Sequence, residues 1–237
     1  MMNPFHRDSK IELKPGDVVF IGEGGDECAV LKSVTQGWHP EPVFLTRNDR
    51  DEQLKKLKWE EQFRLFIQQA FMRRISAIGL LFDAEPNRSA RKSLIEKMFA
   101  AAELSCPRAA NQVRATSKNG AKIKTAYFIN PPSKKTGCLE SLFVPQIKNA
   151  DVGLCITDLL KCYQRKATIL PNRDKLLVRT FLARRNPDNT GLTVALRDGS
   201  LSCDSKDFDS LRQFVEHLKP PETPLLNGVA KGALGEK

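Results

Sequence analysis

Two acidic residues at the end of an apolar run have a spacing that suits metal chemistry. Asp83 and Glu85 follow the apolar residues 76–82. Alternate residues of a strand share a face, so the two carboxylates of such a strand would project together. Like charges this close need a cation between them, and Mg²⁺ is a common partner of carboxylates. The sequence therefore predicts a divalent-cation site at the end of this strand.

A second acidic group, Glu23, Asp26 and Glu27, follows the earlier apolar run 18–21. Two strands of one parallel sheet would bring both groups to the same edge, where open α/β sheets place their sites. A simpler interpretation places the first pair in a solvent-facing loop and Glu27 at the positive end of a helix. The spacing alone leaves both interpretations open.

The basic residues are unevenly distributed along the chain. The 237 residues carry a formal net charge of +10, which suits a polyanionic partner such as nucleic acid. Residues 106–139 include seven Lys or Arg and no acid. Such a segment is either a solvated basic loop or a surface for the phosphates of DNA or RNA, and we favour the second interpretation. The lysines expected to make these contacts are Lys118, Lys122, Lys124, Lys134 and Lys135.

The composition excludes several classes of protein. Apolar residues make up 41% of the chain, which is ordinary for a globular protein. No apolar run reaches the about 18 residues needed to span a bilayer, and no signal-peptide core precedes the first strand. We therefore predict a cytoplasmic protein with no membrane contact. The six cysteines form no Cys-x-x-Cys pair, which argues against a thiolate zinc site.

Alternating apolar runs and amphipathic segments predict an α/β fold, a Rossmann-like parallel sheet of about four strands flanked by helices. The division that we predict is a lead-in over residues 1–16, an α/β domain over 17–150, a mostly helical part over 151–219 packed on it, and a disordered tail over 220–237. The predicted strands cover residues 17–22, 43–45, 75–82 and 122–129. The predicted helices cover 26–34, a long segment from Asn48 or Asp49 to Arg74, 90–102, a turn and helix from 137, 151–163, 174–183 and 207–218.

The order strand, Glu23-Gly24, helix, then strand, Asp83-x-Glu85, helix resembles the Toprim domain. That metal-binding fold is shared by topoisomerases, bacterial-type primases, OLD-family nucleases and RecR proteins, which carry a glutamate after the first strand and an acidic pair at the end of a later one. The chain is most similar to small stand-alone Toprim-like proteins of uncharacterised function, over about residues 17–218. Glu140, in the sequence Gly-Cys-Leu-Glu, fits a later acid of that group.

The resemblance implies that Glu23, Asp83 and Glu85 hold Mg²⁺ or Mn²⁺, with Glu23 and Asp83 as the catalytic pair and Glu23 available as general acid or base. Glu140 is the candidate ligand for a second ion, because two ions about 3.5–4 Å apart are common in nucleases. Asp26 and Glu27 are the reserve acids.

These residues indicate a Mg²⁺-dependent nuclease or a related phosphoryl-transfer protein acting on nucleic acid. The alternative is a non-catalytic protein that binds nucleic acid or a partner, as RecR-type proteins do, and a partner ATPase of the kind found in phage defence is compatible with either. A nucleotide-binding protein is disfavoured because the chain lacks the GxxxxGK[ST] loop. Topoisomerase and primase activities are disfavoured because the accessory domains they need are missing.

Overall fold

The computed structural model has a single central sheet, and the strands of this sheet run mostly parallel. The structure describes residues 12–47, 52–85, 87–109, 111–118, 120–132, 134–166 and 172–220. Within these residues the strands are β1 (Val18–Gly22), β2 (Val43–Thr46), β3 (Ala77–Asp83), β4 (Arg114–Lys118) and β5 (Ala121–Asn130). Their order in the sheet is β2-β1-β3-β5-β4, and only β4 pairs antiparallel with its neighbour. The prediction of a Rossmann-like α/β fold is confirmed.

Helices cover both faces of the sheet, which is why the central strands are apolar at every position rather than at alternate ones. Every residue of β1 and β3 is buried. One face, which includes Phe20 and Phe128, packs against most of the helices, and the other, which includes Ile78 and Tyr127, packs against two of them. On the first face lie α1 (Gly25–Val34), α5 (Val144–Lys148), α6 (Gly153–Lys166), α7 (Arg173–Ala183), α8 (Leu192–Arg197) and α9 (Asp209–Glu216). On the second face lie α3 (Trp59–Met72) and α4 (Arg88–Ala101).

The long helix predicted up to Arg74 is interrupted, so that prediction is wrong. The short helix α2 (Glu52–Lys55) ends before α3 begins, and Asn48 and Asp49 lie outside the described residues. Polar side chains hold the chain between the two helices away from helical geometry. Gln62 donates to the carbonyl of Leu54 at 2.7 Å, and the side chain of Glu61 accepts from the N–H of Lys58 at 3.0 Å, which starts a new helix.

Strand β4 and helix α8 are elements that sequence reasoning did not predict. The β4 residues Arg-Ala-Thr-Ser-Lys are mostly exposed and have no apolar alternation, so the strand exists only through its pairing with β5. Helix α8 is six residues long and packs against α1. The four parallel strands correspond to those predicted from their apolar runs.

The helices after residue 150 share one core with the sheet. The ring of Phe214 on α9 lies 6.1 Å from the ring of Phe20 on β1 and 5.6 Å from that of Phe128 on β5. These helices therefore pack on the sheet. Among the described residues no helix is long and apolar enough to cross a membrane. The first part of the predicted lead-in, up to residue 11, and the tail after residue 220 lie outside the described residues.

Candidate functional site

The strand order creates a crevice between β1 and β3. Within the sheet, β2 is the neighbour of β1 on one side and β3 is its neighbour on the other. In open α/β sheets this change of direction leaves a crevice outside the carboxyl ends of the strands, and ligands bind there. A pocket of about 500 Å³ occupies that position. All six acids singled out in the sequence line it, together with one lysine: Glu23, Asp26, Glu27, Asp83, Glu85, Glu140 and Lys175.

Asp83, the last residue of β3, is the most unusual of these acids. Its side chain is 6% exposed, and its Oδ1 atom has no hydrogen-bond partner among the described residues. Burial raises the pKa of Asp83 to about 8, and the negative charges of Glu27, Glu23 and Glu140 act in the same direction. The amine of Lys175 offsets this only in part. At neutral pH Asp83 is therefore either protonated or in need of a cation.

Arg91, on the first turn of α4, ties two of the predicted ligands together. Its Nη1 atom lies 2.8 Å from Oε1 of Glu23, and its Nη2 atom lies 2.9 Å from Oε2 of Glu85. Its Nε atom also donates to the carbonyl of Asp83 at 3.0 Å. The second oxygen of Glu23 accepts from the N–H of Asp83 at 3.0 Å, yet burial dominates and raises the pKa of Glu23. Arg91 thus neutralises one side of the pocket.

Glu85 reaches the pocket from a loop and not from the strand. Strand β3 ends at Asp83, and Glu85 has a left-handed backbone with φ of 43°. Its N–H donates to the carbonyl of Gly137 at 2.7 Å, and the N–H of Gly137 donates back at 3.0 Å. The prediction that both acids project from one strand face is therefore wrong, because this bridge turns the chain. Glu85 lies at the rim, with about half of its side chain exposed.

Glu27 and Glu140 are two further buried acids that line the pocket. Glu27 accepts from the N–H of Gly24 at 2.8 Å, which caps its helix, but it is 8% exposed and burial raises its pKa. The helix-end interpretation therefore explains only part of its role. Gly22 allows the close approach of this side chain, since a Cβ there would lie 2.6 Å from that of Glu27. Glu140 is 4% exposed, with the amine of Lys175 at 3.9 Å.

Asn130 is a buried polar neighbour of Asp83 that sequence reasoning missed. It is the last residue of β5 and pairs in register with Asp83, on the same face of the sheet as Phe128. It is fully buried, and neither Oδ1 nor Nδ2 has a partner among the described residues. Buried amides are nearly always hydrogen-bonded. The unpartnered amide of Asn130 beside the unpartnered Oδ1 of Asp83 therefore indicates a place where a ligand could supply the missing contacts. Arg91 and Lys175 were also missed, because only the fold brings them to the acids.

The pocket has the donor atoms for a hard cation but not a preassembled cage. Among the described residues no three His, Cys, Asp or Glu side chains are close enough together to hold a metal ion. Oxygens of Glu23, Glu85 and Glu27 already accept from Arg91 or from the backbone. Asp83 Oδ1, by contrast, is buried and has no partner among the described residues. The carboxylate chemistry therefore fits Mg²⁺ or Mn²⁺, provided that at least one neighbour exchanges its present partner for the ion.

The five lysines predicted to contact nucleic acid fall into two groups. Lys134 and Lys135 lie in the loop after β5, beside the pocket. Lys118, Lys122 and Lys124 lie near the opposite end of the sheet, where Lys124 pairs with the first residue of β3. At about 3.3 Å per residue, the strand places Lys124 about 20 Å from Asn130. Tyr127 and Phe128, the two aromatic residues of β5, are 1% exposed and belong to the core.

The chain matches the model of one protein family over nearly all of the described fold. The model of a family described as a protein of unknown function, DUF3226, matches residues 18–219. No curated protein and no solved structure matches the chain. The matched span begins at the first residue of β1 and ends three residues after α9, so it contains the sheet, the acidic pocket and the helices that cover it.

Proposed function

Since the chain belongs to the DUF3226 family of proteins of unknown function, we propose an activity from its own pocket: phosphoryl transfer on DNA or RNA that depends on a divalent cation, in its simplest form a nuclease. The observation that carries this proposal is Asp83, whose buried Oδ1 atom lacks a partner within the described residues. A carboxylate oxygen in that position is what a hard cation requires.

The charge balance of the pocket supports a cation. Six acids line it, whereas within the described residues Lys175 and Arg91 are the cations that pair with them. Their mutual repulsion adds to burial in raising the pKa values of Asp83, Glu23 and Glu27. A divalent ion would relieve this repulsion, and Mg²⁺ commonly binds through one or two carboxylates while retaining waters that phosphate oxygens replace. The resemblance to Toprim domains points to the same chemistry.

The residues of the chain would divide the work between them. Asp83 and Glu140 are the best placed to hold the ion, since both are buried and line the pocket. A bound Mg²⁺ or Mn²⁺ supplies a Lewis acid for a phosphoryl oxygen and lowers the pKa of a bound water. Glu23, whose pKa is raised above its ordinary value by burial, would accept or donate a proton at its carboxylate. Lys175 would offset charge that develops on the phosphate.

A second candidate is a non-catalytic binding protein, and the position of Arg91 favours it. Arg91 occupies oxygens of Glu23 and Glu85 in two short ion pairs, which is how a structural network uses carboxylates. In that case the pocket would stabilise the loop at the edge of the sheet, and nucleic acid or a partner ATPase would bind without cleavage. A cytoplasmic location belongs to both candidates.

Cleavage assays separate the two candidates. Plasmid, linear duplex and single-stranded DNA and RNA would be incubated with Mg²⁺ or Mn²⁺ and wild-type protein, Asp83→Asn, and the Glu23→Ala/Asp83→Ala double variant. Glu96→Gln, an exposed acid on the same helix as Arg91, is the matched control. We expect cleavage by wild type and control, and loss of cleavage in EDTA and in both pocket variants. Full cleavage by Asp83→Asn would contradict the metal-site assignment, and no cleavage by folded wild type would favour the binding role.

A further inference from the structure

A second groove opens beside the acidic pocket. It has a volume of about 690 Å³ and is lined by residues of the loop after β5 and of the start of α7. Lys134 lies on the loop side, Arg173 lies on the helix side, and Lys175 and Glu85 line both cavities. The two cavities are therefore neighbours that share part of their walls. Arg173 was not among the basic residues that the sequence singled out.

The loop wall is fixed by backbone and side-chain hydrogen bonds. The N–H of Arg88 donates to the carbonyl of Lys135 at 2.9 Å, and its Nη1 atom donates to the carbonyl of Pro131 at 2.7 Å. The paired bonds between Glu85 and Gly137 hold the next residues of the loop. Lys134 therefore projects from a loop anchored on each side.

The helix wall is anchored equally well. Asn172 caps α7, since its Oδ1 atom accepts from the N–H of Asp174 at 3.1 Å. Leu177 and Val178, in the next turn of the helix, are 1% and 0% exposed and pack into the core. Arg173 is exposed at the start of this fixed helix, on the side of the groove.

Among the described residues, two of the charged side chains in this groove are unpaired cations. Within the described part of the chain neither Lys134 nor Arg173 forms an ion pair with a carboxylate. Of the two acids in the lining, Glu85 is paired with Arg91 at 2.9 Å, and Asp174 lies in the first turn of α7, where the helix dipole stabilises a negative charge. A guanidinium and an amine facing each other across a groove suit the oxygens of phosphates.

We propose that this groove binds the phosphodiester backbone of a polynucleotide and guides one phosphate into the adjoining acidic pocket. Lys134 contacts the phosphates from the loop wall and Arg173 contacts them from the helix wall. Lys175 lines both cavities, and its amine lies 3.9 Å from Glu140. Contacts of this kind carry no base readout, so binding is independent of sequence and weakens steeply with salt. The assignment of the ligand as a polynucleotide rests on the proposed function.

Binding measured without cleavage tests the groove separately. Fluorescence anisotropy with labelled single-stranded DNA, and with RNA of the same sequence, would be recorded in EDTA over a range of salt concentrations. The test variant is Lys134→Ala/Arg173→Ala, which removes two exposed side chains. The matched control is Lys32→Ala/Lys97→Ala, which removes the same formal charge from two exposed positions towards the C-terminal ends of α1 and α4. Circular dichroism would verify that each variant is folded.

We expect the groove variant to lose about tenfold in affinity and the control to stay within about twofold of wild type, since each lost phosphate contact weakens binding at every sequence. The slope of log affinity against log salt should fall by about 1.4 for single strands in the groove variant alone. Equal losses in both variants, a loss confined to the control, or no binding by wild type would overturn the proposal. Because EDTA removes the ion, these outcomes are independent of whether Asp83 supports cleavage.

Discussion

Among the acids of the pocket, Asp83 carries the largest free-energy cost of burying a charge. A carboxylate at the end of a buried strand loses its hydration, and here it faces three further acids instead of a compensating donor. Protonation or a bound cation relieves that cost, and the two have opposite dependences on pH. The pH response of the metal-free protein is therefore informative about this one residue.

Metal-free protein should lose stability as the pH rises towards 8. The folded pKa of Asp83, about 8, lies above its ordinary value of 3.8, so between these values the folded state holds a proton that the unfolded state has released. The stabilisation is complete below the lower value and is lost as the pH rises through the upper one, at up to about 1.4 kcal/mol per pH unit. Urea unfolding in EDTA across this range should show the slope in wild type and a flatter profile in Asp83→Asn. Parallel profiles would contradict the assignment.

Arg91 is the second residue whose removal gives a defined result. Arg91→Met leaves Glu23 and Glu85 without their shared cation, and we expect a loss of about 1–3 kcal/mol in the free energy of unfolding without metal. Added Mg²⁺ should raise the unfolding midpoint of this variant more than that of wild type, because the ion replaces the lost charge. Lys92→Met is the control, since its pair with Glu96 is exposed and contributes about 0.5 kcal/mol or less. Equal behaviour of the two variants would show that Arg91 does not balance the pocket.

Among the elements, the loop after β5 depends on one glycine. Gly137 has φ of 144°, and a Cβ there would lie 2.6 Å from Cδ of Pro131. We expect Gly137→Ala to cost about 2–4 kcal/mol and to weaken polynucleotide binding, because strain and a clash act together on the loop that carries Lys134. Gly199→Ala is matched in having a positive φ, 74°, but open space around it, so it should cost about 1 kcal/mol. Equal losses in urea unfolding would contradict a clash at the loop.

The elements also show how far sequence reasoning reaches. Apolar runs identified β1 and β3, and the acids that follow those runs do line one pocket, since carboxyl ends of parallel strands share an edge. The polar edge strand β4 could not be predicted, because its stability comes from pairing and not from its own pattern. The local pattern predicts Glu85 on a strand face. It cannot show the bridge to Gly137, which lies 52 positions further along the chain.

Residues from distant segments of the chain complete the site, and no local sequence pattern predicts that they lie there. Arg91, Asn130 and Lys175 reach the acids only through the docking of α4, β5 and α7. In the same way the basic segment of the sequence is divided by the fold, because β5 runs the length of the sheet and carries Lys122 away from Lys134.

At the scale of the whole molecule, charge is separated in a way that suits a phosphate ligand. The chain is strongly basic overall, yet six acids meet in one crevice, and a groove with free cations opens beside it. The C-terminal helices make this arrangement possible, since α7 supplies a wall of both cavities and packs into the core shared with the sheet. The covering helices are therefore part of the site and not an appendage to it.

The claim that the acidic pocket binds a divalent cation is tested most directly by isothermal titration calorimetry with Mg²⁺ and Mn²⁺. We predict saturable binding by wild type and by Glu96→Gln, and affinity lower by at least about tenfold in Asp83→Asn, because a neutral amide replaces the buried anionic ligand. Binding should also raise the unfolding temperature of wild type, since only the folded state holds the site. Absence of binding by folded wild-type protein, or unchanged affinity in Asp83→Asn, would contradict the account.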